Sequence, residues 1–271
     1  MNNLEKRMIY ALQDLKENYS VSGVKAEFEA EGTRIEEALR LKEVVMKADV
    51  ELTIKIGGCE AIKDMYDCRS IGVQRIVAPM IESSYALKKF LLSAQTVFEN
   101  EGNEDVKFAI NVETIAGVNA FDDMLNIPEI KHLNGIVMGR ADLTGSLNIG
   151  RNDINEDSVF FITRDLFQKS KSANLDNAVG GGVSAYSLPF FRKLGTRLID
   201  RYETRKVVFE CPKALNEKAS EGILKAVGFE IMWLKNKKEY YDIISKEDDA
   251  RLIMLESRYK SVIEEVGGKV G

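Results

Sequence analysis

Histidine occurs once in this 271-residue chain, cysteine three times and proline four times. Each scarcity excludes something. A zinc or iron centre built on several histidines is impossible within one chain. Three cysteines, Cys59, Cys68 and Cys211, make neither a disulfide framework nor a spaced zinc motif. Reduced thiols and a cytoplasmic location are the expectation. No apolar run approaches the ~20 residues of a membrane span. The first ten residues lack an apolar signal core, which predicts no secretion. Lysine and arginine total 38 against 43 acidic residues, a net charge of −5. The two signs are interspersed, with no basic stripe, so nucleic acid is not an expected partner.

What is present is an alternation of strand-like and helical stretches. Apolar residues at Leu4, Met8, Ala11, Leu12 and Leu15 have helical spacing over 3–18. Period-two stretches follow at 23–29 and 51–56, with further strands predicted at 75–80, 107–113, 135–139, 177–180 and 197–200. Helices are predicted at 34–48, with Thr33 as cap and Glu36 as its partner, and at 59–70, 83–99, 118–125, 156–172, 185–194, 212–227 and 239–265. Short strands separated by helices imply βα units and a parallel sheet. Seven strands are readable and a closed barrel needs eight. The eighth is sought at Lys206-Val-Val-Phe209 or within the first 20 residues. An open doubly wound sheet is the alternative. It would place a glycine-rich phosphate turn after its first strand, where this chain reads Glu29-Ala-Glu-Gly32. The expected fold is therefore an α/β, TIM-type (β/α)8 barrel, its first strand the irregular one, with extra C-terminal helices. The expected organisation is an N-terminal helix at 1–20, a barrel at 21–228 and a helical extension at 229–271.

Strands buried on both faces should be almost wholly apolar, and these are not. Ala26 and Phe28 oppose Lys25, Glu27 and Glu29. Leu52, Ile54 and Ile56 oppose Thr53 and Lys55. Phe108, Ile110 and Val112 oppose Lys107, Asn111 and Glu113. The apolar sets face the helices, so the charged sets line the interior. Buried charges cost several kcal/mol unless paired or metal-bound, and barrel sites gather at the C-terminal strand ends. Asn111-Val-Glu-Thr-Ile-Ala-Gly117 and Gly139-Arg-Ala-Asp-Leu-Thr144 each put a carboxylate at such an end. Two carboxylates plus waters suit Mg²⁺ or Mn²⁺, with positions left for a 2-keto acid. The backbone at 139–142 offers N–H groups to a substrate carboxylate. The bland reading is a structural network of ion pairs.

Val112-Glu-Thr-Ile-Ala-Gly117, followed by Gly139-Arg-Ala-Asp-Leu143, resembles the HpcH/HpaI aldolase and citrate lyase beta-subunit family. Ile76-Val-Ala-Pro-Met-Ile-Glu82 resembles another piece of it, and the resemblance spans roughly 21–200. It implies a phosphoenolpyruvate/pyruvate-type barrel and a divalent-metal lyase, aldolase or enolate-condensing synthase acting on a keto acid or related carboxylate. It implies Glu113 and Asp142 as metal ligands. It puts Lys55 where relatives carry an arginine on the keto oxygen, and Glu29 where they carry an acid beside the metal waters. Arg140 and Ala141, beside Asp142, become substrate-binding candidates. Ala30 stands where relatives carry a catalytic histidine. The glycine-rich stretch before the metal glutamate is replaced by Glu99-Asn-Glu-Gly-Asn-Glu-Asp105. These departures argue against retro-aldol cleavage through a histidine base; Glu27, Glu29, Glu31 or a metal-bound water could replace it, with Glu29 the expected acid or base and a role in orienting metal waters its plainer alternative. They keep open two alternatives: another reaction on a 2-keto acid or phosphoenolpyruvate, or a barrel that binds such a ligand without catalysis.

Four further features have plainer expected roles. His132 falls before a strand, at the non-catalytic end. Gly180-Gly-Gly182 follows a late strand, as a ligand loop or a plain turn. The charged run 200–206 reads as a solvated loop or interface. Cys59 and Cys68 read as core residues of one helix. Tyr240, Ile243, Ile244, Leu252, Leu255, Tyr259 and Val262 form an apolar stripe suited to the chain's own barrel or a neighbouring subunit. The family resemblance implies exchange of C-terminal helices, hence a homo-oligomer.

Overall fold

Charge lines the inside of this barrel on one side and apolar methyl groups line it on the other. A computed structural model describes residues 1–98 and 106–265. The stretch 99–105 lies outside the described residues. Eight strands close into one barrel in sequence order: β1 Val21–Glu27, β2 Glu51–Lys55, β3 Arg75–Ala78, β4 Lys107–Val112, β5 Gly135–Gly139, β6 Asp176–Gly180, β7 Arg201–Glu203 and β8 Val207–Glu210. Strands β1 to β7 pair in parallel. Strand β8 runs antiparallel to both β7 and β1, with a register shift at Val21/Gly23. The expected irregular first strand is thus one with a bulge against an inverted neighbour. The eighth strand lies where Lys206-Val-Val-Phe209 placed it.

The helices are α1 Asn3–Tyr19, α2 Ile35–Lys47, α3 Ile62–Ile71, α4 Ser84–Phe98, α5 Ile115–Asn119, α6 Phe121–Leu125, α7 Arg140–Ser146, α8 Asp157–Ser172, α9 Leu188–Leu194 and α10 Ala219–Glu265. The cap of α2 is Arg34, with Glu37 reaching back to its N–H, one residue beyond the expected Thr33 and Glu36. Where two C-terminal helices were expected, α10 is a single 47-residue helix. The chain divides into a unit from Met1 to Glu230, which includes α1, and a second from Ile231 onward. Among the described residues, no helix is long and apolar enough to cross a membrane.

Two expectations on cysteine and histidine resolve simply. Cys68 is buried on α3, whereas Cys59 lies half-buried in the turn before it. His132 ends a 3₁₀ turn just ahead of β5 and meets Gln95 of α4, Nε2 to Nε2, at 2.6 Å.

Inward residues of β3 to β6 form an apolar half-layer: Val77, Ala109, Val137 and Ala178. The other half is ionic. Lys25 of β1 reaches Glu203 of β7 at 2.7 Å and Glu27 at 3.3 Å. Burial would lower the pKa of Lys25, but Glu203 and Glu27 outweigh it and hold the amine protonated. On the outer face of β7, Tyr202 stacks between Phe191 and Phe209, at 5.0 and 4.8 Å between ring centroids.

The seventh strand is a correction. It occupies Arg201–Glu203, not 197–200, and the run read as a solvated loop is largely interior. Glu203, Thr204 and Lys206 are buried, and Lys206 pairs with Glu31. The physical reason is that this lumen is polar, so Arg201 and Glu203 point in and Tyr202 alone faces the helices.

Candidate active site

The C-terminal mouth of the barrel opens into a cavity of about 720 Å³, within the range of small-molecule sites. It brings together Glu29, Lys55, Glu113, Ala141 and Asp142, and leaves out Arg140.

Strand β4 ends so that Glu113 projects inward, only 3% exposed. Its Oε2 accepts from Asn111 Nδ2 at 2.8 Å and its Oε1 from the Met80 N–H at 3.1 Å. Gly139, at the end of the neighbouring strand β5, makes the room: a Cβ there would lie 2.6 Å from Glu113 Oε2. Burial, with a contribution from Asp142, raises the pKa of Glu113 against the opposing pull of Lys55, Asn111 and Met80. Asp142 is not on a strand end. It sits, exposed, in the first turn of α7, which begins directly after β5.

Lys55 ends β2 inside the barrel. Its Nζ lies 2.7 Å from Glu29 Oε2 and 3.8 Å from Glu27 Oε2. Burial works to lower its pKa. The hydrogen bond to Glu29 and the charges of Glu27 and Glu113 reverse this, so the net shift is upward. Lys55 is therefore a standing cation rather than a free amine. Glu29 reaches it from the loop after β1, because β1 stops at Glu27, two residues earlier than strand alternation implied. Ala30, in the histidine position of the resemblance, also lines the cavity.

Arg140 was expected to meet substrate; the structure turns it away. Its guanidinium is fully buried, donating to Asn155 Oδ1 at 2.7 Å, to Ser187 Oγ and to the carbonyls of Ile154, Gly180 and Gly181. The rings of Phe190 and Phe191 lie 4.9 and 5.0 Å from its central carbon. It ties the Gly180–Gly182 turn to the start of α7. The turn itself lines the cavity, with Gly181 at φ +76°, and a Cβ there would meet the Ala141 nitrogen at 2.5 Å.

Four lining residues escaped sequence reasoning in whole or in part. Asn111 was seen as an inward residue but not as the partner of Glu113. Glu203 and Arg205 fell in the run taken as solvated, although the order Arg-Tyr-Glu already alternates. Arg151 had no signal at all.

The donor set fits a hard divalent cation. Each oxygen of Glu113 has one donor and keeps a second lone pair, and Asp142 adds an acceptor beside it. Positive charge between them would offset the burial and the Asp142 charge that raise the pKa of Glu113. Among the described residues no three of His, Cys, Asp and Glu gather into a ready-made cage. The remaining positions would thus go to water or substrate oxygens, as Mg²⁺ prefers.

Comparison with known proteins settles the family. The HpcH/HpaI aldolase/citrate lyase model matches residues 26–181, more than half of the chain. This chain belongs to the HpcH/HpaI aldolase/citrate lyase family. No curated protein sequence matches it. Solved structures share the fold. One is an HpcH/HpaI aldolase from Desulfitobacterium hafniense, at 12% identity and TM-score 0.58, covering 73% of this chain and 82% of that one. A family protein from Burkholderia cenocepacia shows 14% identity and TM-score 0.58, covering 90% and 100%. The citrate synthase SbnG shows 14% identity and TM-score 0.56, covering 86% and 90%.

Proposed function

We propose that this family member makes or breaks a carbon–carbon bond next to the keto group of a small carboxylate, with Mg²⁺ or Mn²⁺ held by Glu113 and Asp142. The observation that carries this reading is the convergence of Glu113, Asp142, Lys55 and Glu29 on one cavity. The cation, when bound, supplies Lewis-acid stabilisation of negative charge on a keto oxygen. The protein's own groups do the rest. In the condensing direction Glu29 takes a proton from the carbon beside the keto group, and the electron pair moves to the keto oxygen. In the cleaving direction Glu29 takes a hydroxyl proton, and the electrons of the breaking bond move to the same oxygen. Lys55, held protonated by its neighbours, faces that charge. The N–H of Ala141, in the first turn of α7 and without an intrahelical partner, meets the substrate carboxylate. Arg140 fixes the turn and has no direct contact.

Deuterium exchange at the methyl group of pyruvate, followed by proton NMR with Mg²⁺ in D₂O, tests the proton step. Electron paramagnetic resonance tests Mn²⁺ binding separately. We expect exchange that Glu113→Gln and Asp142→Asn both abolish. Failure of the native chain to bind Mn²⁺ or to exchange pyruvate or oxaloacetate protons rejects the reading. Tight keto-acid binding without exchange points instead to a barrel that only binds, a reading favoured by the absence of any histidine in the cavity.

A further inference from the structure

Beyond Glu230, helix α10 carries a seam that catalysis does not explain. Stepping by three and four from Ile231 gives Ile231, Leu234, Lys238, Tyr241, Ser245, Asp248, Leu252, Leu255, Tyr259 and Val262. Seven of these ten side chains are aliphatic or aromatic. Ile231, Leu234, Leu252, Leu255, Tyr259 and Val262 are all exposed. The steps are those of heptad positions a and d, whose 3.5-residue period calls for a left-handed supercoil with another helix. The buried residues of this stretch, Trp233 and Asn236, fall at c and f, away from the seam. Tyr240, Ile243, Ile253 and Met254 are exposed apolar residues that also lie off it.

We propose that Ile231 to Val262 forms a parallel, in-register, two-stranded coiled coil with the same segment of a second copy of this chain. The charges flanking the seam choose the partner and its direction. In a parallel pair each g residue faces the e residue five positions on in the partner. Here Glu230 faces Lys235, Lys237 faces Asp242 and Arg251 faces Glu256, three opposite-sign pairs. The other two, Ile244 with Asp249 and Arg258 with Ile263, contain no like charges. Antiparallel seams in full overlap would set Asp242 against Asp249 and Lys237 against Arg258. Arg251 also holds Glu247 on its own helix at 2.5 Å, and its five donors can serve both. Ile231 at a with Leu234 at d favours two strands, and Lys238 at a fixes register at a cost in affinity. Ser245 and Asp248 leave the middle weak, so the apolar contact concentrates at the two ends of the seam.

The inference does not rest on the reaction proposed above. Light scattering on the whole chain is expected to give twice its 30.4 kDa mass. The double substitution Leu252→Lys, Leu255→Lys is expected to return the monomer with the barrel still folded by circular dichroism. Ser245→Cys, at an a position, is expected to cross-link two chains on oxidation, where the native chain does not. Arg251→Glu is expected to weaken the dimer several-fold, and adding Glu256→Arg to restore it. A native monomer at tens of micromolar overturns the proposal. So does an oligomer indifferent to the double lysine substitution, or a dimer that Ser245→Cys leaves uncross-linked.

Discussion

At the scale of single residues, the site divides into groups that meet the cavity and groups that hold them. Lys55 is of the first kind. Replacing a preorganised charge of this sort commonly costs 10²–10³ in rate, roughly 3–4 kcal/mol. We expect Lys55→Met to lose about that much exchange activity while Mn²⁺ binding, read by electron paramagnetic resonance, persists. Asn111 is of both kinds, lining the cavity and holding Glu113. It holds one oxygen of Glu113 at 2.8 Å, and removal of such outer partners typically weakens metal binding 10–100-fold. Asn111→Ala should show that loss in a Mn²⁺ titration, with the barrel's melting little changed. Arg140 is wholly structural in this arrangement. Arg140→Met leaves buried carbonyls without donors, so denaturant unfolding should record a loss of about 3 kcal/mol. The conspicuous motif Gly139-Arg-Ala-Asp could not separate these roles. Which way residue 140 points depends on α7 beginning directly after β5, and nothing in so short a glycine-containing stretch signals a helix.

Among elements, β1, β2 and β4 were legible because their outer faces alternate, and β3, β5 and β6 as short apolar runs between helices. Leu52 with Ile54 and Ile110 with Val112 are examples. Strand β7 was not. Arg197-Leu-Ile-Asp200 has the more strand-like composition, while Arg201-Tyr-Glu203 looks like a surface turn. The ionic half of the lumen reverses that judgement: Glu203 is wanted inside by Lys25. The charged interior was visible from β1, β2 and β4; its completion by β7 required the fold. Tyr202 makes the assignment testable. It is buried between two aromatic rings and donates to the Ala214 carbonyl at 3.0 Å. Tyr202→Ala should destabilise by about 3–5 kcal/mol, the usual cost of emptying an aromatic core position, whereas a solvated loop residue would cost almost nothing. Denaturant unfolding distinguishes the two. The Gly180–Gly182 turn carries a matching constraint. Gly181→Ala would place a methyl group against the Ala141 nitrogen in a left-handed backbone conformation, so keto-acid binding should fall with it.

For the molecule as a whole, the interior ion pairs set a pH window. Burial alone would raise the pKa of Glu27, but Lys25 and Lys55 more than reverse this and hold it below the usual range. A carboxyl depressed by folding contributes stability above its unfolded pKa and loses it as pH falls through its folded value. Lys25, raised by folding, contributes below its unfolded pKa and loses that contribution at strongly alkaline pH. From Glu27 we expect a melting temperature that falls on acidification below about pH 4.5. The double substitution of Lys25 and Glu27 to Met should flatten that acid limb in a scanning-calorimetry series. An acid limb unchanged in the double variant would assign it to other carboxylates.

The inversion of β8 has a consequence for how this protein diverges. In an ordinary barrel of eight parallel strands, every strand end at the mouth opens into a connection that can lengthen, and new specificities arise by insertion. Here β7 and β8 are joined by the tight turn Thr204 to Lys206, whose members are locked by Glu31 and by the Val207 backbone. One sector of the rim is closed to that route. Descendants of this sequence can retune it only by exchanging side chains at Thr204, Arg205 and Glu31, so drift there would be conservative in length while the opposite rim remains free to grow.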